Sequence, residues 1–474
     1  MSNILLQLSR FLKLFFLLPI LGGFVYVECA IAEPFVNDPK LKVELVASDL
    51  QFPTSMAFLG PDDILVLEKN NGTVQRIIDG VKQEDPILDV SVANKNERGM
   101  LGIASMIETA VENRTLQDPK KLVFLFYSEI NNMNVSNDDG SDFCPTVTYC
   151  EQNTNPVGNR LYRYELNDDR LVNRKLLLDL PSAPGSDHIG GVIVVGPDNN
   201  IYILSGDGDS CFDEHNCLGN SKDSTVNSQT SNIHTGLPAQ GRGGIIRVTP
   251  NGHLMNGNGI LGEEHPLNLY YAYGIRNGFG LDFDPITEKL WDTENGPGFG
   301  DEINLVEPGF NSGWAKVQGV WPITEYNAEP LPAHKGYFGE DVIEEDNIAD
   351  QEDFVEFNGK GKYSAPEFTW NASVGVTALK FLGSDGLGKQ YENDLFVADY
   401  NNNYIYNFDL NESRTEFVLD DALSDKVANS NEELADIVFG GGLGVITDME
   451  VGYDGYLYLL SHTEGAIYRI VPNN

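Results

Sequence analysis

Val192-Ile-Val-Val-Gly-Pro-Asp-Asn-Asn-Ile-Tyr-Ile-Leu204 is the stretch of this sequence that decides the fold. Two short apolar runs flank a Gly-Pro-Asp-Asn turn, which is the pattern of an antiparallel strand pair. The pattern recurs along the chain, more loosely in the second and fifth copies. The six copies occupy residues 56–67, 100–127, 192–204, 280–291, 377–398 and 449–460.

A further strand follows several of these copies and alternates apolar with polar side chains, as half-buried strands do. These strands occupy residues 73–78, 160–164, 244–248, 404–408 and 466–470. A strand-rich unit that cannot bury its own face stacks on its neighbours, and four-stranded units around an axis make a propeller. The sequence therefore predicts an all-β six-bladed β-propeller with long loop insertions over residues 33–474. Two packed sandwiches explain the recurrence less well, and a single short helix is predicted near residues 431–438.

Composition excludes several functional classes. The 474 residues include 31 Lys plus Arg and 71 Asp plus Glu, so the formal net charge is −40. Nucleic-acid binding needs a basic patch that neutralises phosphates, and anionic lipid head groups also attract Lys/Arg clusters. The hydrophobic share of 41% supports a core, and 48 glycines with 23 prolines suit short strands and turns.

The N-terminus has the pattern of a secretion signal. Arg10 and Lys13 precede an apolar run over residues 14–26, and Ala30-Ile31-Ala32 fits a small-x-small cleavage site. A retained membrane anchor is the alternative, although the apolar run is short for a span. We expect residues 1–32 to be a signal peptide, the mature protein to be secreted or extracytoplasmic, and no membrane span to remain.

The cysteines are consistent with export. Cys144, Cys150, Cys211 and Cys217 remain after signal cleavage, and two local pairs are the simplest of three connectivities. A zinc site is the weaker alternative, because the five-residue gaps do not match the usual ligand spacing. Long polar insertions at residues 131–157, 209–242 and 323–362 are expected to shape a binding face.

Two polar positions flank the strands of the third copy. His188 stands just before Gly190-Gly191 at the entry of the first strand, and Asp207 follows the second strand. A histidine there is expected to point into a central pocket, where it is the natural proton acceptor near neutral pH. A surface histidine and a turn-capping aspartate are the alternative interpretation.

The fourth copy carries a second polar group. Arg276 and Asn277 open it, and a planar guanidinium beside an amide suits a carboxylate or carbonyl partner. Residues 292–304 then combine a Gly296-Pro297 turn with carboxylates, and calcium prefers such oxygen ligands. A P-loop, a nucleophile elbow, HExxH and a dinucleotide fingerprint are all absent from the sequence, which argues against a nicotinamide or flavin enzyme.

Several motifs, in this order, carry a family resemblance over nearly all of the mature chain. They are Phe52-Pro-Thr-Ser-Met-Ala-Phe, Glu97-Arg-Gly-Met-Leu-Gly-Ile-Ala, Asp187-His-Ile-Gly-Gly, Ser205-Gly-Asp, Tyr273-Gly-Ile-Arg-Asn, Glu294-Asn-Gly-Pro, Asp301-Glu-Ile-Asn, Asn311-Ser-Gly-Trp314 and Tyr453-Asp-Gly-Tyr-Leu-Tyr. The chain resembles the soluble quinoprotein glucose/sorbosone dehydrogenases, which are pyrroloquinoline quinone (PQQ)-dependent aldose sugar dehydrogenases. That family has a six-bladed β-propeller fold.

The resemblance implies an activity and a role for each site residue. His188 matches the general base that takes the proton from the anomeric hydroxyl of the sugar while hydride passes to the quinone, and Asp207 matches the acid beside it. Arg276 and Asn277 match the pair that meets the quinone oxygens, and Glu97 falls where several members have Gln. The implied metal is Ca²⁺, and the candidate ligands are Gly296, Pro297 and Glu302.

The resemblance breaks at the cations that hold the three carboxylates of PQQ. Asn401 stands where known users have a Lys, and Val445 and Thr447 stand where they have two Arg. Asp399 even adds a negative charge nearby. Buried carboxylates need cationic partners, and the candidate substitutes are Lys360, Lys362 and Lys380.

The sequence is compatible with three functions. The first is an exported PQQ- and calcium-dependent oxidoreductase that oxidises the anomeric hydroxyl of aldose sugars and passes electrons to an external acceptor. The second is a non-catalytic extracellular propeller that has lost PQQ and binds glycans or proteins. The third is a calcium-dependent hydrolase or lactonase, which is weaker because no set of acids and amides for a central metal stands out in the sequence.

Overall fold

The computed structural model describes residues 19–20, 23–24, 33–108, 120–130, 156–182, 186–208, 228–254, 259–320 and 354–473. Within these ranges the chain is almost entirely strand and turn. The helical segments found there are short 3-10 turns at Gln229–Ser231, Leu267–Leu269, Lys389–Tyr391, Asp421–Leu423 and Glu433–Asp436. The last of them lies inside the short helix predicted near residues 431–438. The described residues contain no helix with the length and apolar character to cross a membrane.

Predictions for several segments fall outside the described residues. They concern most of the signal sequence, all four cysteines of the mature chain, and most of the three long insertions.

The described strands beyond residue 24 form six sheets, which we number along the chain by their first strands. Sheet 1 contains Pro53–Gly60, Asp63–Glu68, Thr73–Ile78, Val81–Lys82 and Leu88–Asp89. Sheet 2 contains Met100–Ile107, Lys121–Ile130, Pro156–Asn167 and Arg170–Leu180. Sheet 3 contains Gly190–Val195, Ile201–Ser205, Gly244–Val248, Tyr270–Tyr273, Phe310–Asn311 and Lys362–Tyr363.

The remaining three sheets follow the same plan. Sheet 4 contains Gly278–Phe283, Leu290–Glu294, Phe299–Val306, Phe368–Ala372 and Val427–Ala428. Sheet 5 contains Val376–Phe381, Leu395–Asp399, Tyr404–Phe408, Val438–Gly441 and Phe35–Val36. Sheet 6 contains Ile446–Val451, Leu457–Ser461, Ala466–Pro472 and Leu41–Ala47. Pro19–Ile20 and Gly23–Phe24 form a separate two-stranded pair.

The first strands of the sheets form a closed ring. Each contacts the first strand of the next sheet, and the first strand of sheet 6 contacts that of sheet 1. An N-terminal strand closes the ring, because Leu41–Ala47 pairs antiparallel with the C-terminal strand Ala466–Pro472 in sheet 6. Phe35–Val36 pairs in the same way with Val438–Gly441 of sheet 5. The prediction of an all-β propeller is confirmed.

The repeated turn explains why each copy folds into a strand pair. In sheet 3, Asn199 adopts a φ of 59°, and the Asp198 carboxylate accepts hydrogen bonds from the Asn200 amide at 3.1 Å and the Tyr202 hydroxyl at 3.0 Å. Sheet 6 repeats this device, because Asp454 accepts a hydrogen bond from the Tyr458 hydroxyl at 2.8 Å. The Asp therefore caps the turn, as short polar side chains do.

Burial between neighbouring sheets supplies the core. Phe124 of sheet 2 and Ile203 of sheet 3 belong to one fully buried cluster. Trp291 of sheet 4 and Val397 of sheet 5 belong to another. Since each sheet is covered by its neighbours on both sides, its strands are apolar on both faces, which explains the apolar runs in the repeat.

A small cavity lies on the axis and is lined by first strands of all six sheets. Lys380 points into it and lies 2.8 Å from a Glu450 carboxylate oxygen and 3.4 Å from one of Asp282. Asp448 lies beside them and accepts hydrogen bonds from Ser55 Oγ at 2.9 Å and the Met56 amide at 2.6 Å. We call Lys380, Asp282, Asp448 and Glu450 the channel cluster.

Candidate functional site

One end of the ring collects most of the predicted site residues. The start of each first strand is paired with the end of the second, as in Pro53 with Glu68, Gly190 with Ser205 and Gly278 with Glu294. Residues just before a first strand and just after a second strand therefore share one face of the propeller. We call this end the site face.

His188 and Asp207 meet on the site face. His188 Nδ1 lies 2.8 Å from Asp207 Oδ1, and the two side chains are 11% and 1% exposed. The backbones are held together because the Gly208 amide donates to the His188 carbonyl at 3.0 Å. A Cβ on Gly206 would lie 2.3 Å from that carbonyl, so this close approach requires glycine. The predicted pair is therefore brought into direct contact.

Asp207 is held as a carboxylate. Its Oδ2 accepts a hydrogen bond from the indole Nε1 of Trp314 at 2.7 Å. Burial alone would raise the pKa of Asp207, but the His188 and Arg276 charges and the bonds from His188 and Trp314 lower it below its ordinary value. An ionised Asp207 can only accept a hydrogen bond, so the proton of a neutral His188 resides on Nδ1 and is donated to Asp207. The Nε2 lone pair of His188 is then the proton acceptor.

Arg276 and Asn277 lie at the start of sheet 4. The Nη1 atom of Arg276 donates to the carbonyls of Asn295 at 2.8 Å and Gly296 at 3.0 Å, and its guanidinium carbon lies 5.3 Å from the Trp314 ring centre. The Arg276 carbonyl accepts a hydrogen bond from the Asp207 backbone amide at 2.8 Å. This contact joins the pair on sheet 4 to the His188–Asp207 pair.

Three buried polar atoms at this position have no hydrogen-bond partner among the described residues. They are Arg276 Nε, Asn277 Oδ1 and Asn295 Oδ1. Since buried donors and acceptors are normally satisfied, a donor and two acceptors clustered at one strand end suit a polar ligand group.

Glu97 links three sheets across the site face. Its Oε2 accepts a hydrogen bond from the Ile189 backbone amide at 3.1 Å, and its Oε1 accepts one from Asn277 Nδ2 at 3.1 Å. Burial raises the pKa of this carboxyl, and the nearby His188 and these hydrogen bonds oppose the shift. Glu97 therefore positions the backbone beside His188 and the amide of Asn277.

The structure does not bring Glu302 to the Gly296–Pro297 turn. Glu302 instead accepts hydrogen bonds from Ser312 Oγ at 2.8 Å and the Gly319 amide at 2.6 Å. The acid at the turn is Asp301, whose Oδ1 accepts the Gly296 amide at 2.9 Å. Successive strand residues point to opposite faces, so only one of the two acids can reach the turn. Within the described ranges, no group of three or more His, Cys, Asp or Glu side chains is placed to hold a metal ion.

The three candidate substitute lysines do not gather on the site face. Lys380 belongs to the channel cluster, and Lys360 and Lys362 are exposed at the outer edge of sheet 3. Asp399 is buried and accepts hydrogen bonds from the Tyr406 hydroxyl at 2.5 Å and Asn402 Nδ2 at 2.9 Å. Its charge is thus met by local donors.

Two residues of the site face were missed in the sequence. Lys69 follows the second strand of sheet 1, and His462 follows that of sheet 6. Each stands directly after its second strand and corresponds to Gly206, the neighbour of Asp207, in sheet 3. Alignment of the copies could therefore have placed both residues on the site face. His462 Nδ1 lies 2.9 Å from the Pro53 carbonyl, and burial lowers its pKa to about 4.

The sequence model of the glucose/sorbosone dehydrogenases matches residues 50–469. The chain belongs to this family. Aldose sugar dehydrogenase of Escherichia coli is 23% identical over 465 residues, which cover 97% of this chain and 99% of the relative. Quinoprotein glucose dehydrogenase B of Acinetobacter calcoaceticus is 34% identical over 164 residues, which cover 34% of this chain and 32% of the relative.

Solved structures of glucose/sorbosone dehydrogenases have the same fold as this chain. The apo form of the soluble E. coli aldose sugar dehydrogenase aligns with a TM-score of 0.61 and 21% identity, covering 91% of this chain and 100% of that one. The PQQ-bound aldose sugar dehydrogenase of Streptomyces coelicolor aligns with a TM-score of 0.55 and 19% identity, covering 93% and 99%. Both agree with the propeller described above.

Proposed function

We propose that this chain is an exported PQQ- and calcium-dependent oxidoreductase that oxidises the anomeric hydroxyl of aldose sugars. The observation that carries the proposal is the His188–Asp207 pair, which lies in backbone contact with Arg276. Family membership adds to it, because the relatives are named aldose sugar and glucose dehydrogenases. The proposal includes a cleaved signal at residues 1–32 and a mature propeller whose six sheets are six blades.

The residues of sheet 4 fit the quinone end of PQQ. Arg276 Nε can donate to a carbonyl oxygen, and the Asn277 amide is placed beside it with one acceptor unused. When bound, PQQ supplies an ortho-quinone that accepts the hydride from sugar C1. The guanidinium would bind and orient this end of the cofactor and stabilise negative charge that develops on its oxygens.

His188 performs the proton transfer in this proposal. Its Nε2 takes the proton from the anomeric hydroxyl as the C1 hydrogen leaves, and Asp207 stabilises the imidazolium that forms. The low exposure of both side chains keeps water from competing for the proton. The oxidised sugar then leaves as the lactone, since the ring oxygen stays on C1.

The calcium part of the proposal rests on backbone oxygens. The carbonyls of Gly296 and Pro297 are ligands of the kind that calcium prefers, and Asp301 is a carboxylate hydrogen-bonded to the turn through the Gly296 amide. The Gly296 carbonyl already accepts a bond from Arg276, but a carbonyl oxygen has two lone pairs and can serve both. We therefore propose Asp301 in place of Glu302 as the acid near the metal.

The test is reconstitution of the purified mature protein. With PQQ and calcium added, we expect saturable PQQ binding by calorimetry at micromolar concentrations and reduction of an artificial dye by a panel of aldoses. Without PQQ, dye reduction should stay at background. Lack of PQQ binding at these concentrations would overturn the proposal and favour a propeller that binds glycans or proteins instead.

Trp314→Phe tests the hydrogen bond to Asp207. The variant keeps an aromatic ring beside Arg276 but removes the indole donor, so Asp207 orients His188 less well. We expect kcat to fall about tenfold, as loss of one hydrogen bond to a charged group implies, with KM for the sugar unchanged. Steady-state kinetics at saturating PQQ give this measurement, and an equal rise in KM would show that Trp314 acts on sugar binding instead.

A further inference from the structure

We propose that Lys69 binds a carboxylate of PQQ. It supplies, from sheet 1, one of the cations that the family has on sheets 5 and 6 and that this chain has replaced there. The inference rests on the proposed function above. It assigns an anion-binding role to a residue outside the sequence motifs of the family resemblance.

Lys69 lies on the site face next to the residues already described. Its Nζ donates to the Asn96 carbonyl at 2.7 Å, and Asn96 Nδ2 donates to Asp187 Oδ2 at 3.1 Å. Asp187 precedes the general-base candidate His188 directly. The lysine is therefore connected to His188 through two residues, Asn96 and Asp187.

No residue of the described part of the chain forms an ion pair with Lys69. Its hydrogen bonds within the described ranges go to the Asn96 and Asn94 carbonyls and the Asn70 amide oxygen, at 2.7, 3.5 and 3.3 Å. These partners are uncharged. A half-buried ammonium with uncharged partners gains most from an incoming anion, because the desolvation cost is already met in the free protein.

Lys69 also enters the region where a cation is missing. Thr447, at one of the expected arginine positions, donates its hydroxyl to the Pro53 carbonyl at 3.1 Å, and His462 lies 2.9 Å from the same oxygen. The residue before Pro53 is Phe52, and its carbonyl accepts a hydrogen bond from the Lys69 backbone amide at 3.1 Å. At the boundary between sheets 1 and 6, the Lys69 backbone thus lies one residue away from the carbonyl that Thr447 contacts, and the charge of Lys69 acts on the neighbouring His462.

The groups that face Lys69 determine its titration. Glu97 and Asp187 raise its pKa, but burial outweighs them and lowers the pKa to about 8. His462, on the neighbouring sheet, is held neutral near pH 7 because burial lowers its own pKa to about 4. Lys69 therefore carries its charge at pH 7 and loses it as the pH rises through about 8.

Calorimetry of PQQ binding to the full mature chain tests the inference without any activity assay. We expect Lys69→Gln, which keeps a donor for the Asn96 carbonyl but no charge, to bind PQQ about 30-fold or more weakly than wild type at pH 7. Lys121→Met is the matched control. Lys121 also donates to a backbone carbonyl, that of Leu59 at 2.8 Å, but at the opposite end of the strands, and its loss should leave the affinity unchanged.

The triester of PQQ and the pH profile separate charge from structure. The triester has no carboxylates, so wild type and Lys69→Gln should bind it equally. Wild-type affinity for PQQ should fall about tenfold between pH 7 and 9.5 as the ammonium loses its proton, while the variant shows no such fall.

Three outcomes are distinguishable. Equal PQQ affinity of wild type and Lys69→Gln would overturn the inference and leave the proposed function standing. Equal weakening of PQQ and triester binding would also overturn it, since Lys69 would then only hold the Asn94–Asn96 loop. Absence of PQQ binding to wild type would overturn the proposed function itself.

Discussion

Replacing His188 with alanine is expected to lower kcat for dye-linked aldose oxidation by about 10²–10⁴-fold, the usual contribution of a positioned general base. The side chain is fixed by Asp207 at 2.8 Å and is largely shielded from water. Water therefore cannot replace the imidazole efficiently as proton acceptor. Steady-state kinetics with excess PQQ and calcium give the measurement.

The affinity for PQQ separates this role from a structural one. We expect His188→Ala to bind PQQ as wild type does, because Arg276, Asn277 and Lys69 remain. His253→Ala is the matched control, since His253 is exposed on the turn after the third strand of sheet 3 and should keep full activity. Retention of more than a tenth of wild-type kcat in His188→Ala would contradict the assignment of His188 as the base.

Replacing Lys380 with methionine is expected to lower the free energy of unfolding by about 3–5 kcal/mol at pH 8, as breaking a buried ion pair does. Lys380 is 17% exposed and is the cation of the channel cluster, whose other members are three acids. Burial would lower the pKa of Lys380, but Asp282 and Glu450 raise it above its ordinary value. Without it, those carboxylates face one another in the axial cavity. Denaturant titration followed by tryptophan fluorescence gives the free energy.

The loss should be smaller at pH 5 than at pH 8. Burial and the neighbouring Glu450 raise the pKa of Asp448, and burial also raises the pKa of Glu450 against the opposing effect of Lys380. A carboxyl whose pKa is raised in the folded state favours folding at low pH and loses that contribution as the pH rises through the folded pKa. In the variant the acids take up protons more readily, so acidification relieves the repulsion.

Lys389→Met is the control for the channel variant. Lys389 pairs with Asp385 and Glu392 but is 76% exposed, so solvent screens the pair and no measurable change is expected. An equal loss in both lysine variants, or a larger loss at pH 5 than at pH 8, would contradict the account of the channel cluster.

The repeat made most of the fold predictable. The Gly-Pro-Asp turns and flanking apolar runs indicated strand pairs, and the pairs are found where the copies were placed. His188, Asp207, Arg276 and Asn277 were predictable for the same reason, because they lie at fixed positions relative to those strands. The outer strands were less predictable, since Phe35–Val36 and Leu41–Ala47 pair with strands from the other end of the chain.

Charged side chains were predicted less well than strands. Lys380 lies in the axial cavity instead of on the site face, Asp301 rather than Glu302 lies at the Gly296 turn, and the sequence did not predict a role for Lys69. In each case the sequence shows that a charge is present but not which face of its strand the side chain occupies or which sheet it approaches.

The sequence by itself determined a repeated strand pair, the propeller it builds and the residues that begin and end each repeat, because these follow from local alternation and turn chemistry. Only the tertiary structure decided which charges meet. Contacts such as those of Asp207 with Trp314 and Glu97 with Asn277 join residues 107 and 180 positions apart. The energy of a charge depends on its burial and its partners, and closure of the ring selects both.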